Sequence, residues 1–223
     1  MLVDLGLPIA TEILNPSLAV FFSDLVSWGF IGARTCSSQT HRELASALPF
    51  PIGFKNTVEG SIQQAIYGMI SARFPHHFPT IDLQGNLAVV ESYGNPSTHL
   101  VLRGSSEAPN YEKLSQASHD LSTYGFSSRI LVDCSHGNCQ KDPFLQSQVF
   151  SHVLRDYKQG NSSILGMMLE SNLKEGSQLL SESPSSLRYG VSVTDPCVSW
   201  KETEILIRKA KEYSLLSSPG KAP

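Results

Sequence analysis

Six short apolar runs, alternating with stretches of helical period, constrain this chain more than any other feature. The runs cover residues 7–14, 29–35, 52–56, 99–104, 129–135 and 164–171. Pro, Gly or polar residues bound them, as expected of strands. Between them, residues 17–26 place Leu18, Phe21, Phe22 and Leu25 on one helical face. Residues 40–48, 61–73, 111–124 and 143–157 read the same way, and residues 201–213 read as an outer amphipathic helix. Such alternation predicts an α/β protein with a parallel sheet. Continuous apolar strands with functional residues at their C-terminal ends favour a (β/α)8-type barrel over an open doubly wound sheet. One section departs from the pattern. Residues 78–83 and 87–92 flank Gln84-Gly85-Asn86 and predict an inserted β-hairpin. Only six βα units can be counted against the eight that close a barrel. The expectation is therefore one domain over residues 1–216, a barrel lacking its first two strands, with a frayed tail at 217–223.

Composition narrows the class. The chain has 223 residues, 40% apolar and 17% charged, with a net charge of −3. That describes an ordinary soluble protein and gives no reason to expect nucleic acid or an anionic membrane as partner. No run reaches the roughly 20 apolar residues of a membrane helix. The start has no basic region followed by an apolar one, so cytoplasm is expected by default. The four cysteines, Cys36, Cys134, Cys139 and Cys197, form no CxxC pair and read as reduced thiols.

Chemistry concentrates where the runs break into polar loops. His136 closes the run from Arg129, Glu170 the run from Ile164, and Asp195 the run from Tyr189. A lone strand-end histidine is more often structural. One imidazole with two carboxylates nearby suits manganese, iron or zinc better than magnesium. Arg34, Lys55 and Arg103 form a second set, each placed after an apolar run. Arginine forks fit a carboxylate or phosphate, while lysine supplies a point charge or a movable proton. Gly32 and Ala33, just before Arg34, leave room for a ligand to approach the backbone. Glu12 interrupts an apolar strand, and a buried carboxylate there needs a partner such as Lys55 or Arg34. Cys134 and Cys197 lie within two residues of a proposed ligand and could replace one, although packing explains them as well. His76 and His77 are adjacent and poorly spaced for joint chelation.

Several strings occur together and in order: Ile31-Gly-Ala-Arg-Thr35, Gln39-Thr-His-Arg-Glu-Leu-Ala45, Gly53-Phe-Lys-Asn56, Leu102-Arg-Gly104, Asp133-Cys-Ser-His-Gly-Asn138, Glu170-Ser-Asn-Leu-Lys-Glu-Gly176 and Thr194-Asp-Pro-Cys197. They resemble the bacterial and fungal type I class of 3-deoxy-7-phosphoheptulonate (DAHP) synthases over residues 5–213. The resemblance implies a TIM barrel that condenses phosphoenolpyruvate with erythrose 4-phosphate, opening the shikimate pathway to aromatic amino acids. It implies that Arg34, Lys55 and Arg103 hold the phosphate and carboxylate of phosphoenolpyruvate, with Glu12, Gly32 and Ala33 lining that pocket. It gives His136, Glu170 and Asp195 the divalent metal, and Lys55 the role of proton donor or shuttle. The family is homo-oligomeric.

The chain also departs from the family pattern. The family's GPCSIH-type strand, with a fourth metal ligand, and its KPRT sugar-phosphate loop are not found, nor is the N-terminal arm used in oligomerisation. The expectation is that these 223 residues alone turn over poorly. Asn15 and Ala19 fall where the family shapes its feedback site. Three other readings compete: a non-catalytic fragment of a split gene, an octulosonate-phosphate synthase, and an unrelated metal-dependent aldolase.

Overall fold

The structure, a computed structural model, describes residues 2–105, 108–181 and 183–216. The tail expected to fray, 217–223, lies outside the described residues. The regular elements are β1 (Ala10–Glu12), β2 (Trp28–Ile31), α1 (Gln39–Ala47), β3 (Ile52–Lys55), α2 (Gln63–Ala72), β4 (His77–Ile81), β5 (Leu87–Glu91), β6 (Thr98–Gly104), α3 (Leu114–Thr123), β7 (Ile130–His136), α4 (Pro143–Lys158), β8 (Ile164–Met168), β9 (Ser171–Asn172), β10 (Val198–Ser199) and α5 (Trp200–Leu216). The chain divides into two compact units, Met1–Leu102 with Ala117–Ser128, and Arg103–Gln116 with Arg129–Pro223.

In the first unit β1, β2, β3 and β6 lie side by side in that order, all parallel, with Glu12 opposite Phe30, Ile31 opposite Phe54 and Lys55 opposite Val101. Every residue of β3 is buried, the pattern of a parallel strand covered on both faces. Helix α2 covers one face with Ala65, Ile66, Met69 and Ala72. Gly68 makes this approach possible, since a Cβ there would lie 2.7 Å from the Phe54 ring. On the other face, a Cβ at Gly53 would lie 2.5 Å from Val101 and 2.9 Å from the Trp28 indole. The end of α1 leaves orphan carbonyls. The Asn95 amide answers them, donating to the carbonyls of Ala45, Leu48 and Phe50 at 3.2, 3.2 and 3.0 Å.

The expected hairpin is present: β4 and β5 pair antiparallel with Phe78 opposite Val90. Asp82 closes its turn by accepting from the Gln84 and Asn86 N–H groups at 2.9 and 2.8 Å, with Gly85 at φ 84°. The helix expected over 17–26 is instead a 3-10 helix, Pro16–Phe21, capped by Asn15. Leu18, Phe21 and Leu25 remain about half exposed. A stripe left half exposed contributes little packing to hold a longer helix together.

In the second unit β7 and β8 pair in parallel, with an irregularity between Ile130 and Leu131. Helix α4 begins at Asp142, whose carboxylate accepts the Phe144 N–H at 2.9 Å, with Pro143 in the first helical position. It packs on β7 and β8 through Val149, Phe150, Val153 and Leu154. Helix α5 packs against α4, with Leu206 buried and the Lys209 ammonium donating to Ser151 Oγ at 2.9 Å. The run 189–195 is not a strand: only Ser192 forms an isolated bridge, to Ser177. Its Gly190 adopts φ 79°, which turns the chain out of an extended path. Among the described residues no helix is long and apolar enough to cross a membrane.

Candidate metal centre and anion-binding residues

In the second unit, the structure brings His136, Glu170 and Asp195 together. Each offers one ligand atom, and these atoms lie within 4.8 Å of one another. His136 Nε2 is 3.3 Å from Glu170 Oε1 and 3.6 Å from Asp195 Oδ2. Only His136 sits at a strand end. Glu170 follows β8 by two residues, and Asp195 comes from the irregular stretch before β10.

The imidazole is held from behind. Asp133, fully buried, places Oδ2 3.0 Å from His136 Nδ1, and Ser135 Oγ lies 2.8 Å from the same nitrogen. The Ser135 hydroxyl and N–H both donate to Asp133 Oδ1. The Ser135 hydroxyl gives its hydrogen to Asp133, so Nδ1–H donates to Ser135 Oγ, and the Nε2 lone pair faces two carboxylates. Three such acceptors at these distances repel one another unless a proton or a metal cation sits among them. The donor set therefore fits a divalent ion of the kind that takes nitrogen and oxygen.

His136 has φ 54° and ψ −130°, a conformation that costs a non-glycine residue about 1–3 kcal/mol. The loop that imposes it has no slack. A Cβ at Gly137 would lie 2.6 Å from the Gly104 carbonyl carbon and 2.7 Å from that of Ser105. Asn138 ties the same loop down, donating to the Asp133 carbonyl at 2.7 Å and accepting from the Asn110 and Tyr111 N–H groups at 2.7 and 3.2 Å. The Lys141 ammonium lies 3.2 Å from Asp195 Oδ1.

The thiols stand apart from the cluster. Burial pushes Cys139 up to about 11 and raises Cys197 and Cys134 as well. Protonated, Cys139 donates to the His136 carbonyl and Cys197 to the Asp195 carbonyl, both at 3.5 Å. Cys134 points at the Val132 carbonyl. Of the two cysteines considered as substitute ligands, Cys197 thus serves a loop backbone and Cys134 the backbone of β7.

The remaining candidates fall in both units. In the first, Lys55 ends β3, is buried, and holds its ammonium 4.8 Å from the centre of the Phe30 ring. Glu12 ends β1 with its carboxylate directly over Gly32, so close that a Cβ at Gly32 would lie 3.3 Å from Glu12 Cδ and nearer still to Oε1. Ala33 and Arg34 lie in the turn after β2, Arg34 exposed, with the Thr35 N–H closing onto the Gly32 carbonyl at 3.1 Å. In the second unit, Arg103 lies in the last two residues of β6, its Nε donating to the Gly104 carbonyl at 3.2 Å. His76 and His77 serve the hairpin region, His76 Nε2 lying 2.9 Å from the Ser71 carbonyl oxygen.

Sequence reasoning gave Asp133, Asn138, Lys141 and Gln146 no role. Asp133 had a signal, its spacing of three from His136. Gln146 had one too, a polar residue on the helical stripe of Val149, Phe150 and Val153. Lys141 had none.

Fold and site together define an α/β protein of parallel strands that gathers one imidazole from the end of β7 and two carboxylates from irregular segments after β8. Residues 3–208 match the model of the DAHP synthetase I family, and the chain belongs to that family. It is 46% identical over 210 residues to the Tyr-sensitive phospho-2-dehydro-3-deoxyheptonate aldolase of Escherichia coli, covering 93% of this chain and 59% of that protein. It is 40% identical over 227 residues to the phospho-2-dehydro-3-deoxyheptonate aldolase AMT16 of Alternaria alternata, covering 98% of this chain and 61% of that protein. The solved structure of phospho-2-dehydro-3-deoxyheptonate aldolase from Francisella tularensis superposes with a TM-score of 0.89 at 40% identity, covering 97% of this chain and 63% of its own. The chain thus spans about three fifths of the length of these relatives.

Proposed function

We propose that the chain supplies the metal-binding and phosphoenolpyruvate-binding part of a DAHP synthase, on a (β/α)8-type barrel, and takes part in condensing phosphoenolpyruvate with erythrose 4-phosphate. The observation that carries this reading is the convergence of His136, Glu170 and Asp195 in a chain of this family. Those three residues would hold manganese, iron or zinc, which supplies a Lewis acid for the aldehyde oxygen of the sugar phosphate. Ser135, itself held by Asp133, would orient the imidazole so that Nε2 faces the ion.

Arg34, Lys55 and Arg103 carry over from the family's motifs as the cations for the phosphate and carboxylate of phosphoenolpyruvate. Glu12, Gly32 and Ala33 line that pocket on the same basis. Lys55 is the proton donor or shuttle. Its burial against Phe30 keeps the ammonium away from bulk water. When C3 of the enol attacks the aldehyde carbon and water adds at C2, the arginine forks stay on the phosphate until it leaves. The cytoplasm is the compartment where such substrates occur, and a homo-oligomer is the family's form.

Two measurements test the reading. Calorimetry should show phosphoenolpyruvate binding to the manganese-loaded chain and weakening in Arg34→Ala and Lys55→Met. A coupled assay for released phosphate should require both substrates and the metal, and fail with Glu170→Gln. Absence of binding and turnover at every metal tested sinks the proposal. Preference for arabinose 5-phosphate would support the octulosonate-phosphate alternative instead. Cleavage of a sugar phosphate without phosphoenolpyruvate would point to an unrelated aldolase.

A further inference from the structure

Glu170 stands outside the regular sheet, two residues past β8 and one before β9. Its carboxylate can serve a metal only if its backbone is fixed by something else. The Gln146 side chain does this. Its Oε1 accepts the Glu170 N–H at 2.7 Å, and its Nε2 donates to the Glu170 carbonyl at 3.3 Å. The Val198 N–H meets the same carbonyl from the other side at 3.0 Å. An amide that answers both groups of one residue does what a neighbouring strand would do. Gln146 is fully buried on α4, among Val149, Phe150 and Val153. A buried amide in such a place is costly unless every polar atom is satisfied.

The helix that carries Gln146 begins seven residues after His136, capped by Asp142. One rigid element therefore joins the loop of the imidazole to the backbone of the first carboxylate. We propose that Gln146 is a positioning residue for the metal centre, setting the place of the Glu170 carboxylate relative to His136. The proposal rests on the metal reading above and names a residue that touches neither ion nor substrate. Sites of this kind lose affinity when the groups that orient their ligands are removed, by about 10- to 100-fold.

The test uses the purified chain, stripped of metal and titrated with Co(II), read by its visible d–d absorption and by calorimetry. Gln146→Met keeps the length and removes the amide. Gln146→Asn keeps the amide but is one methylene too short to reach both groups. Both variants should bind Co(II) about 10- to 100-fold more weakly than the parent, with a shifted d–d band, while remaining folded by circular dichroism without metal. Unchanged affinity and band in folded variants overturn the proposal, even if the metal-free unfolding temperature drops. Loss of the fold in both variants overturns it too, since the amide would then serve the fold and not the site. His136→Ala and Glu170→Gln are the controls. If Co(II) binds them as tightly as the parent, the metal reading itself fails. If they lose the ion while Gln146→Met keeps it, only the positioning role fails.

Discussion

Two glycines that look equivalent in sequence sit in opposite kinds of surroundings. Gly32 follows β2 and precedes the anion-binding candidate Arg34, and Gly137 follows β7 and the metal-binding candidate His136. A methyl group on Gly32 would meet the Glu12 carboxylate, the free end of a flexible side chain. A methyl on Gly137 would meet the backbone of Gly104 and Ser105, which cannot swing aside. The first loop is therefore built from side chains that can adjust, and the second from backbone pressed on backbone. That difference matches the tasks assigned to the two loops. An anion cradle tolerates small shifts of long cationic side chains. A metal centre needs its donor atoms placed within a few tenths of an ångström.

Four substitutions or conditions can break or sharpen this contrast. The largest effect is expected at the rigid loop. Gly137→Ala should destabilise the chain by about 3 kcal/mol or more, because overpacking against backbone has no cheap relief. Urea denaturation would show it as a lower midpoint with an unchanged slope. A loss under about 1 kcal/mol would mean that the loop yields, and the contrast with Gly32 would disappear.

The next effect probes the first unit's interior. The Trp28 indole donates to His99 Nε2 at 2.9 Å, which requires that nitrogen to be unprotonated. Burial lowers His99 to about 4. The unfolded chain takes up the proton near 6.5, so between 6.5 and 4 it binds more protons than the native state. Stability is therefore complete above about pH 6.5 and falls as the pH drops toward 4, by up to about 3 kcal/mol. His99→Gln should flatten that fall, measured as the difference in urea midpoint between pH 7 and pH 4.5. An equal fall in parent and variant would assign the pH dependence elsewhere.

Gly32→Ala is the third. Its cost in stability should stay within about 1 kcal/mol, since Glu12 can rotate away. Phosphoenolpyruvate binding should weaken nonetheless, because the displaced carboxylate intrudes on the pocket assigned to the anion. Calorimetry beside denaturation separates the two readouts. Intact binding would remove Gly32 and Glu12 from the pocket.

Much of this was legible in the sequence, and the limits have a physical cause. The parallel strands follow from apolar runs with period-breaking ends, and the hairpin from Gln84-Gly85-Asn86 between two apolar stretches. The three groups of the candidate metal centre were found because imidazole and carboxylate next to apolar runs are uncommon. Their settings were misread: Glu170 is past the end of β8, and Asp195 comes from no strand. In both cases side chains replace the missing ladder. Gln146 fixes the Glu170 backbone, and Gln178 accepts the Arg188 N–H while its amide donates to the Arg188 and Val191 carbonyls. A side-chain-to-backbone bond spanning 24 residues has no period and no composition, so pattern reading passes over it. Asn138, which bonds across 27 and 28 residues, escaped for the same reason.

The smallest effect concerns the cation that the sequence did not single out. Lys141 pairs with Asp195 Oδ1 at 3.2 Å while Asp195 Oδ2 faces His136 Nε2 at 3.6 Å. The ammonium is about two thirds exposed, so its pairing contributes only about 0.2–1 kcal/mol. A divalent ion arriving among His136, Glu170 and Asp195 meets this positive charge and competes with it for one carboxylate. Lys141→Met should therefore raise metal affinity slightly, by about two- to threefold at low salt. The gain should shrink as salt rises, because exposed charges are screened over about 10 Å at 0.1 M. Calorimetric titration of parent and variant at two ionic strengths checks both parts. Affinity that falls in Lys141→Met would reverse the sign of the interaction. The lysine would then be holding Asp195 in its binding conformation, and the second loop would be propped by one more side chain.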